Sequence, residues 1–221
     1  MGICHIVGAA PGEISLLPQK GDLVIAADGG YDSLVSAWIC PDWVVGDFDS
    51  ISGREAPNIE NTLVFPSEKD YTDSALAARL GEEKGYRKFV FHRCTGGSLD
   101  HTLANIAQIY AMAKRGLRAV MPDGENCLCA VTDGMIEFEA AARGKISIFS
   151  LSEEARGVYL KGLYYELKNY RLTSDNALGV RNEFKGVRAV MSVERGTLMA
   201  YTALENVLSF SDYFAGGGSD R

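Results

Sequence analysis

Thr72 to Met121 reads TDSALAARLGEEKGYRKFVFHRCTGGSLDHTLANIAQIYAMAKRGLRAVM, and this stretch decides the fold. Thr72 is placed to cap a helix, Asp73 sits in its first turn, and Ala75, Leu76, Ala78 and Leu80 carry an apolar face. Lys84-Gly85 gives the stop. Residues 88–92 form a short β-rich run. Leu103, Ile106, Ala107 and Tyr110 predict a second helix, ended by Lys114-Arg115-Gly116, and residues 118–121 predict another strand. Strands alternating with helices build a mostly parallel sheet with helices on its faces.

Toward the N-terminus the alternation continues. Residues 3–7, 23–26, 43–45 and 62–65 are strand candidates, and residues 31–39 can be helical. After Pro122 the character changes to short, often alternating runs at 128–132, 135–139, 145–149, 157–160, 187–193 and 197–202. Asp133-Gly134 and Arg195-Gly196 supply turns between pairs of them. The expected fold class is therefore α/β, with an N-terminal mostly parallel sheet flanked by helices, followed by a C-terminal antiparallel β-sandwich. Residues 1–122 form the α/β domain and 123–214 the all-β domain, with 215–221 a flexible Gly/Ser-rich tail.

Composition narrows the function classes. The chain has 221 residues, 47% hydrophobic and 23% charged, which is a globular balance. A net charge of −7 without a basic stripe argues against a nucleic-acid partner. The five cysteines are odd in number and include no CxxC pair, so neither a disulfide framework nor a zinc site is expected. Reduced cysteines and the lack of a signal-peptide pattern point to the cytoplasm. No apolar run reaches the roughly 18 residues of a membrane span.

The chemistry is carried by aspartates placed where strands end. Asp28 lies in Ala27-Asp28-Gly29-Gly30, Asp47 and Asp49 in Gly46-Asp47-Phe48-Asp49-Ser50, Asp70 and Asp73 in Lys69-Asp70-Tyr71-Thr72-Asp73, and Asp100 in Gly96-Gly97-Ser98-Leu99-Asp100-His101. Open parallel sheets bind ligands beyond the carboxyl ends of their strands. Gathered carboxylates repel, and a bound Mg²⁺ relieves that repulsion while bridging phosphate oxygens. Neighbouring glycines let main-chain N–H groups approach a phosphate. Phosphoryl-type transfer is the expected reaction class.

Local explanations compete with this reading. Asp28-Gly29-Gly30 also suits a plain turn, and Asp73 and Asp100 also suit the first turn of a helix. The Gly-Asp-Phe-Asp-Ser run is harder to dismiss, because two acids flank one aromatic at the end of an apolar strand. The Gly8-Ala9-Ala10-Pro11-Gly12 loop is a candidate nucleotide neighbour, although it is not a dinucleotide fingerprint and no Walker motif occurs. His92 and His101 read as structural or helix-start residues. Tyr164, Tyr165 and Tyr170 are expected to fill the β core.

In order and spacing, the four acidic motifs with Asn105 resemble the catalytic half of the thiamine pyrophosphokinase family. Gly162-Leu163-Tyr164-Tyr165-Glu166-Leu167 and Leu178-Gly179-Val180-Arg181-Asn182-Glu183-Phe184 resemble its substrate-binding half. The resemblance implies transfer of pyrophosphate from ATP to the hydroxyethyl oxygen of thiamine, releasing AMP. It implies that Asp47, Asp49 and Asp73 hold Mg²⁺ and that Asp100, with Asp70, serves the chemistry. Asp28, Gly29, Lys69, Thr72, Gly96 and Gly97 would contact ATP, and Arg181 and Asn182 would contact thiamine. It further implies a cytoplasmic homodimer with thiamine sites at the subunit interface.

Two positions depart from the family pattern. Ser98 stands where the family usually has Arg, and Arg181 where it usually has Ser. A lost guanidinium is a lost bidentate, permanently charged donor. One expectation is that Arg181 reaches the polyphosphate across the dimer interface and replaces the charge missing at Ser98; the alternative is that Arg181 points to solvent. The swap also leaves two other readings: a pyrophosphokinase for another small alcohol such as a hydroxymethylpterin, and a thiamine or nucleotide sensor without activity.

Overall fold

The computed structural model describes residues 2–14, 16–47, 61–64 and 71–208. The chain divides into two compact units, Met1–Gln108 with Met121–Asp123 and Ile109–Val120 with Gly124–Arg221.

The first unit is built on a parallel sheet of β1 (Cys4–Val7), β2 (Leu23–Ala27), β3 (Trp43–Gly46), β4 (Thr62–Val64) and β5 (Lys88–His92). Their order is β5-β1-β2-β3-β4, and every pairing is parallel. Strands β1 and β2 are buried at every position, as expected of strands covered on both faces. Its helices are α1 (Gly30–Ser36) and α2 (Asp73–Glu83), while α3 (Leu99–Lys114) begins in this unit and passes into the second at Ile109. Thr72 caps α2 as the sequence predicts, its Oγ1 accepting from the Ala75 N–H at 3.3 Å.

The helix faces differ from expectation. On α2 the buried positions are Ser74, Ala75, Ala77, Ala78 and Gly81, while Leu76 and Leu80 are only half-buried. Small residues let α2 lie close to the sheet; a Cβ on Gly81 would fall 2.6 Å from Cys4 Sγ. On α3 the buried set is Asn105, Ile109, Met112 and Ala113, whereas Leu103 is 57% exposed. The helical period was read correctly and its phase was not, because a buried asparagine does not score as apolar.

The second unit holds two antiparallel sheets. One runs β12 (Asn182–Glu183), β9 (Lys145–Ser150), β14 (Thr197–Ala203), β7 (Asn126–Thr132); the other runs β11 (Leu167–Thr173), β10 (Glu154–Lys161), β13 (Ala189–Ser192), β8 (Met135–Phe138). Strand β6 (Arg118–Asp123) lies where the units divide, and α4 (Glu205–Leu208) follows β14. Alternation sets the core: β8 and β9 turn Ile136, Phe138, Ile146 and Ile148 inward. Phe138 and Phe184 meet edge to face at 5.3 Å between ring centroids. Asp133 turns with φ +47°, and its carboxylate accepts from the Gly196 N–H at 2.8 Å.

Strands β11 and β12 lie outside the sequence-based expectation. Only Leu172 of β11 is buried, so no period-two apolar pattern marks it. The three tyrosines expected in the β core are instead at the surface: Tyr164 and Tyr165 are exposed by 62% and 74%, and Tyr170 by 37%. Among the described residues no helix is long and apolar enough to cross a membrane. The expected tail, 215–221, lies outside the described residues.

Candidate functional site

At the carboxyl ends of β1, β2 and β5 the first unit opens a cleft of about 570 Å³. Residues 8–11 after β1, Ala27 at the end of β2 with Asp28 after it, and Arg93, Cys94, Gly97 and Ser98 after β5 line it. Residues 71–74 at the start of α2, with His101, Thr102 and Asn105 of α3, complete it. Parallel topology brings these segments together, because every strand of the sheet ends on the same side. Asp28 takes a left-handed conformation at φ +48° while its N–H bonds Val45 O at 2.8 Å. Gly30 then starts α1 where a Cβ would lie 1.9 Å from Val7 O, so only glycine lets the helix begin there.

A buried polar network ties three walls of the cleft. Thr72 Oγ1 lies 3.1 Å from Ser74 Oγ, which donates to Asn105 Oδ1 at 2.6 Å. Asn105 Nδ2 in turn donates to Cys94 O at 2.9 Å. The start of α2, the body of α3 and the loop after β5 are thereby held as one piece. Arg93 adds a second tie, its Nε bonding Ala10 O and its Nη1 bonding Ser33 Oγ.

Asp28, Thr72, Asp73 and Gly97 of the expected site line this cleft. Gly29 is the N-cap of α1, and Gly96 turns with φ +79° beside Gly97. Asp47 follows β3 directly, and a Cβ on the preceding Gly46 would touch Asp28 Cα at 3.1 Å. Asp100 lies exposed in the first turn of α3 and does not line the cleft. Hydrogen bonds from the Ser98 side chain and from the His101 N–H, the latter at 2.8 Å, hold its carboxyl below the usual carboxylate range. It is therefore ionised at neutral pH, suited to accept a hydrogen bond and weak as a base. Asp49, Lys69 and Asp70 lie outside the described residues.

The donors facing the cleft, two carboxylates and several hydroxyls, are hard oxygen ligands. They fit Mg²⁺, which takes one or two carboxylates and fills its shell with water and substrate phosphates. Among the described residues no three His, Cys, Asp or Glu side chains group as a complete protein cage. Sequence reasoning did not single out Arg93 or Ser74. Their contacts are made to segments far away in the chain, so no local motif marks them.

In the second unit Asn182 is buried, and its amide clasps Tyr165. Its Oδ1 accepts from the Tyr165 N–H at 3.0 Å, and its Nδ2 donates to Tyr165 O at 2.7 Å. The exposed Tyr164–Tyr165 segment is thus presented by Asn182. Arg181 is exposed with φ +58°, and its N–H bonds Ser147 Oγ at 3.0 Å.

An α/β unit with an acid- and glycine-lined cleft at its strand ends, carried with an antiparallel β unit, defines a phosphate-handling class of protein. Residues 14–121 match the family model described as "Thiamin pyrophosphokinase, catalytic domain", and residues 135–198 match "Thiamin pyrophosphokinase, vitamin B1 binding domain". The chain is 32% identical over 182 residues to a thiamine pyrophosphokinase of Bacillus subtilis, covering 80% of this chain and 85% of that one. The chain belongs to the thiamine pyrophosphokinase family. Its fold is similar to a crystal structure of thiamine pyrophosphokinase from B. subtilis, with a TM-score of 0.80, 28% identity and coverage of 91% and 98% of the two chains. It is similar also to thiamin pyrophosphokinase from Geobacillus thermodenitrificans, with a TM-score of 0.76, 26% identity and coverage of 93% and 99%.

Proposed function

We propose that this chain transfers pyrophosphate from ATP to thiamine, giving thiamine diphosphate and AMP. One observation carries the reading. A single chain holds a catalytic-domain match, whose residues build most of the cleft, followed by a match to a vitamin B1 binding domain.

The hydroxyethyl oxygen of thiamine attacks the β-phosphorus of ATP. The bond from that phosphorus to the α,β-bridging oxygen breaks, the electron pair leaves with AMP, and the hydroxyl proton is lost. Asp47, Asp49 and Asp73 would hold Mg²⁺, which would neutralise polyphosphate charge. Asp28, Gly29, Lys69, Thr72, Gly96 and Gly97 seat the nucleotide. The ionised Asp100 aligns the thiamine hydroxyl, and the Asp70 carboxylate stands as the base that takes its proton. Arg181 and Asn182 serve thiamine binding, Asn182 through the tyrosine segment that it clasps. Residues 1–122 form the catalytic half and 123–214 the thiamine half of each subunit of a cytoplasmic homodimer, with thiamine sites at the subunit interface. Four buried free thiols, Cys4, Cys94, Cys127 and Cys129, suit a reducing compartment.

The test is incubation with Mg-ATP and thiamine, followed by chromatography for thiamine diphosphate and AMP. Equimolar appearance of both supports the reading. Consumption of ATP only with another alcohol, or no AMP at all, overturns it.

A further inference from the structure

We infer that Arg93 is the phosphate-binding cation of the cleft, in the place that Ser98 leaves without charge; the inference rests on the pyrophosphate-transfer reading above. Among the described residues Arg93 is the only Lys or Arg that lines the cleft, where Asp28 and Asp73 bring negative charge. A polyphosphate entering beside two carboxylates needs a positioned cation, and a guanidinium is the most effective single donor for it. Ser98 lines the same cleft with a hydroxyl.

Two features show that Arg93 is held for a purpose. Its backbone takes φ +52°, a left-handed conformation that a long side chain rarely adopts. Such a residue persists where its surroundings over-determine it, and an observed outlier of this kind points to function. The surroundings are visible. Nε is fixed to Ala10 O and Nη1 to Ser33 Oγ, so the guanidinium plane is locked by the loop after β1 and by α1. These two bonds engage two of the five guanidinium N–H groups, on a side chain that lines the cleft.

The test compares ATP with AMP binding, by calorimetry, in Arg93→Gln, Arg93→Gly and each of these with Ser98→Arg. Arg93→Gly suits the positive φ, so its thermal melt separates loss of charge from loss of fold. Expected is a weakening of ATP by roughly 10- to 100-fold in both single variants, with AMP weakened less than about 3-fold, because the lost cation served the β- and γ-phosphates. Adding Ser98→Arg restores most of the ATP affinity. Equal losses for ATP and AMP would make Arg93 a loop tie only, and unchanged ATP affinity or failed rescue would overturn the inference. Because the readout is nucleotide binding, it stands apart from the acceptor. A wild-type protein that binds ATP but forms no thiamine diphosphate would sink the functional reading and leave this one measurable.

Discussion

Removing the amide of Asn105 should cost the first unit much of its stability and loosen the cleft together. Asn105 is 6% exposed and Ser74 9%, so neither bond is replaced by bulk water. Asn105→Ala strips the Cys94 carbonyl of its donor at 2.9 Å and the Ser74 hydroxyl of its acceptor at 2.6 Å. A buried group left unsatisfied costs about 1–3 kcal/mol. Ser74 can turn to Thr72 Oγ1, 3.1 Å away, so its share is the smaller one. The expected total is about 2–4 kcal/mol, a large part of the roughly 5–15 kcal/mol that holds a domain together. Both tryptophans, Trp38 and Trp43, belong to the first unit, so fluorescence in a urea titration follows that unit alone. Ser74→Ala by itself should cost about 1–2 kcal/mol, and the double variant little more than Asn105→Ala. A loss under about 0.5 kcal/mol, or strict additivity of the two changes, would refute the network.

Acid should destabilise the first unit before its carboxylates titrate. Burial, then the charge of His5, hold His92 down to about 3, and burial also lowers His5, whose Nδ1 lies 3.1 Å from His92 Nε2. The unfolded chain therefore takes up these protons first, and stability present above pH ~6.5 is lost as pH falls, by up to about 1.4 kcal/mol per unit for each histidine. His92→Gln should flatten the slope measured between pH 7 and 5, and an unchanged slope would remove the pair from the account. Asp100→Asn should lower kcat by roughly 10²–10⁴-fold while leaving the Kd for ATP within about 3-fold, as steady-state kinetics and calorimetry can check. Asn182→Ala frees the Tyr164–Tyr165 segment, so KM for thiamine should rise about 10-fold or more with KM for ATP unchanged; the reverse pattern would detach this segment from thiamine.

The α/β half was legible because its strands are continuous apolar runs broken by Gly and Asp at their ends. The run at residues 88–92 became β5 without a residue of difference, and Thr72 capped α2 as read. The second unit was legible where a strand alternates, as in β8 and β9. It was illegible where pairing does the work of burial. Strand β11 exists because its main chain bonds β10, from Thr173 against Glu154 to Leu167 against Leu160, and its side chains carry almost none of that information. The exposed tyrosines failed for a related reason. Aromatic residues are enriched both in cores and at binding surfaces, and composition does not separate the two.

The site divides along the same line. Asp28, Asp73 and Gly97 could be found from sequence because topology alone sends the ends of parallel strands to one rim. What holds that rim in shape could not. Ser74 meets Asn105 across 31 positions, and Arg93 reaches Ser33 across 60 and Ala10 across 83. None of these pairs has a local signature, since each polar partner looks in sequence like an ordinary helix or loop residue. The consequence bears on how the departure at Ser98 should be read. A cation missing from one loop position need not be sought in another family motif. It can be supplied by any residue that the sheet order delivers to the same cleft, and Arg93, directly after β5, is delivered there by the pairing of β5 with β1.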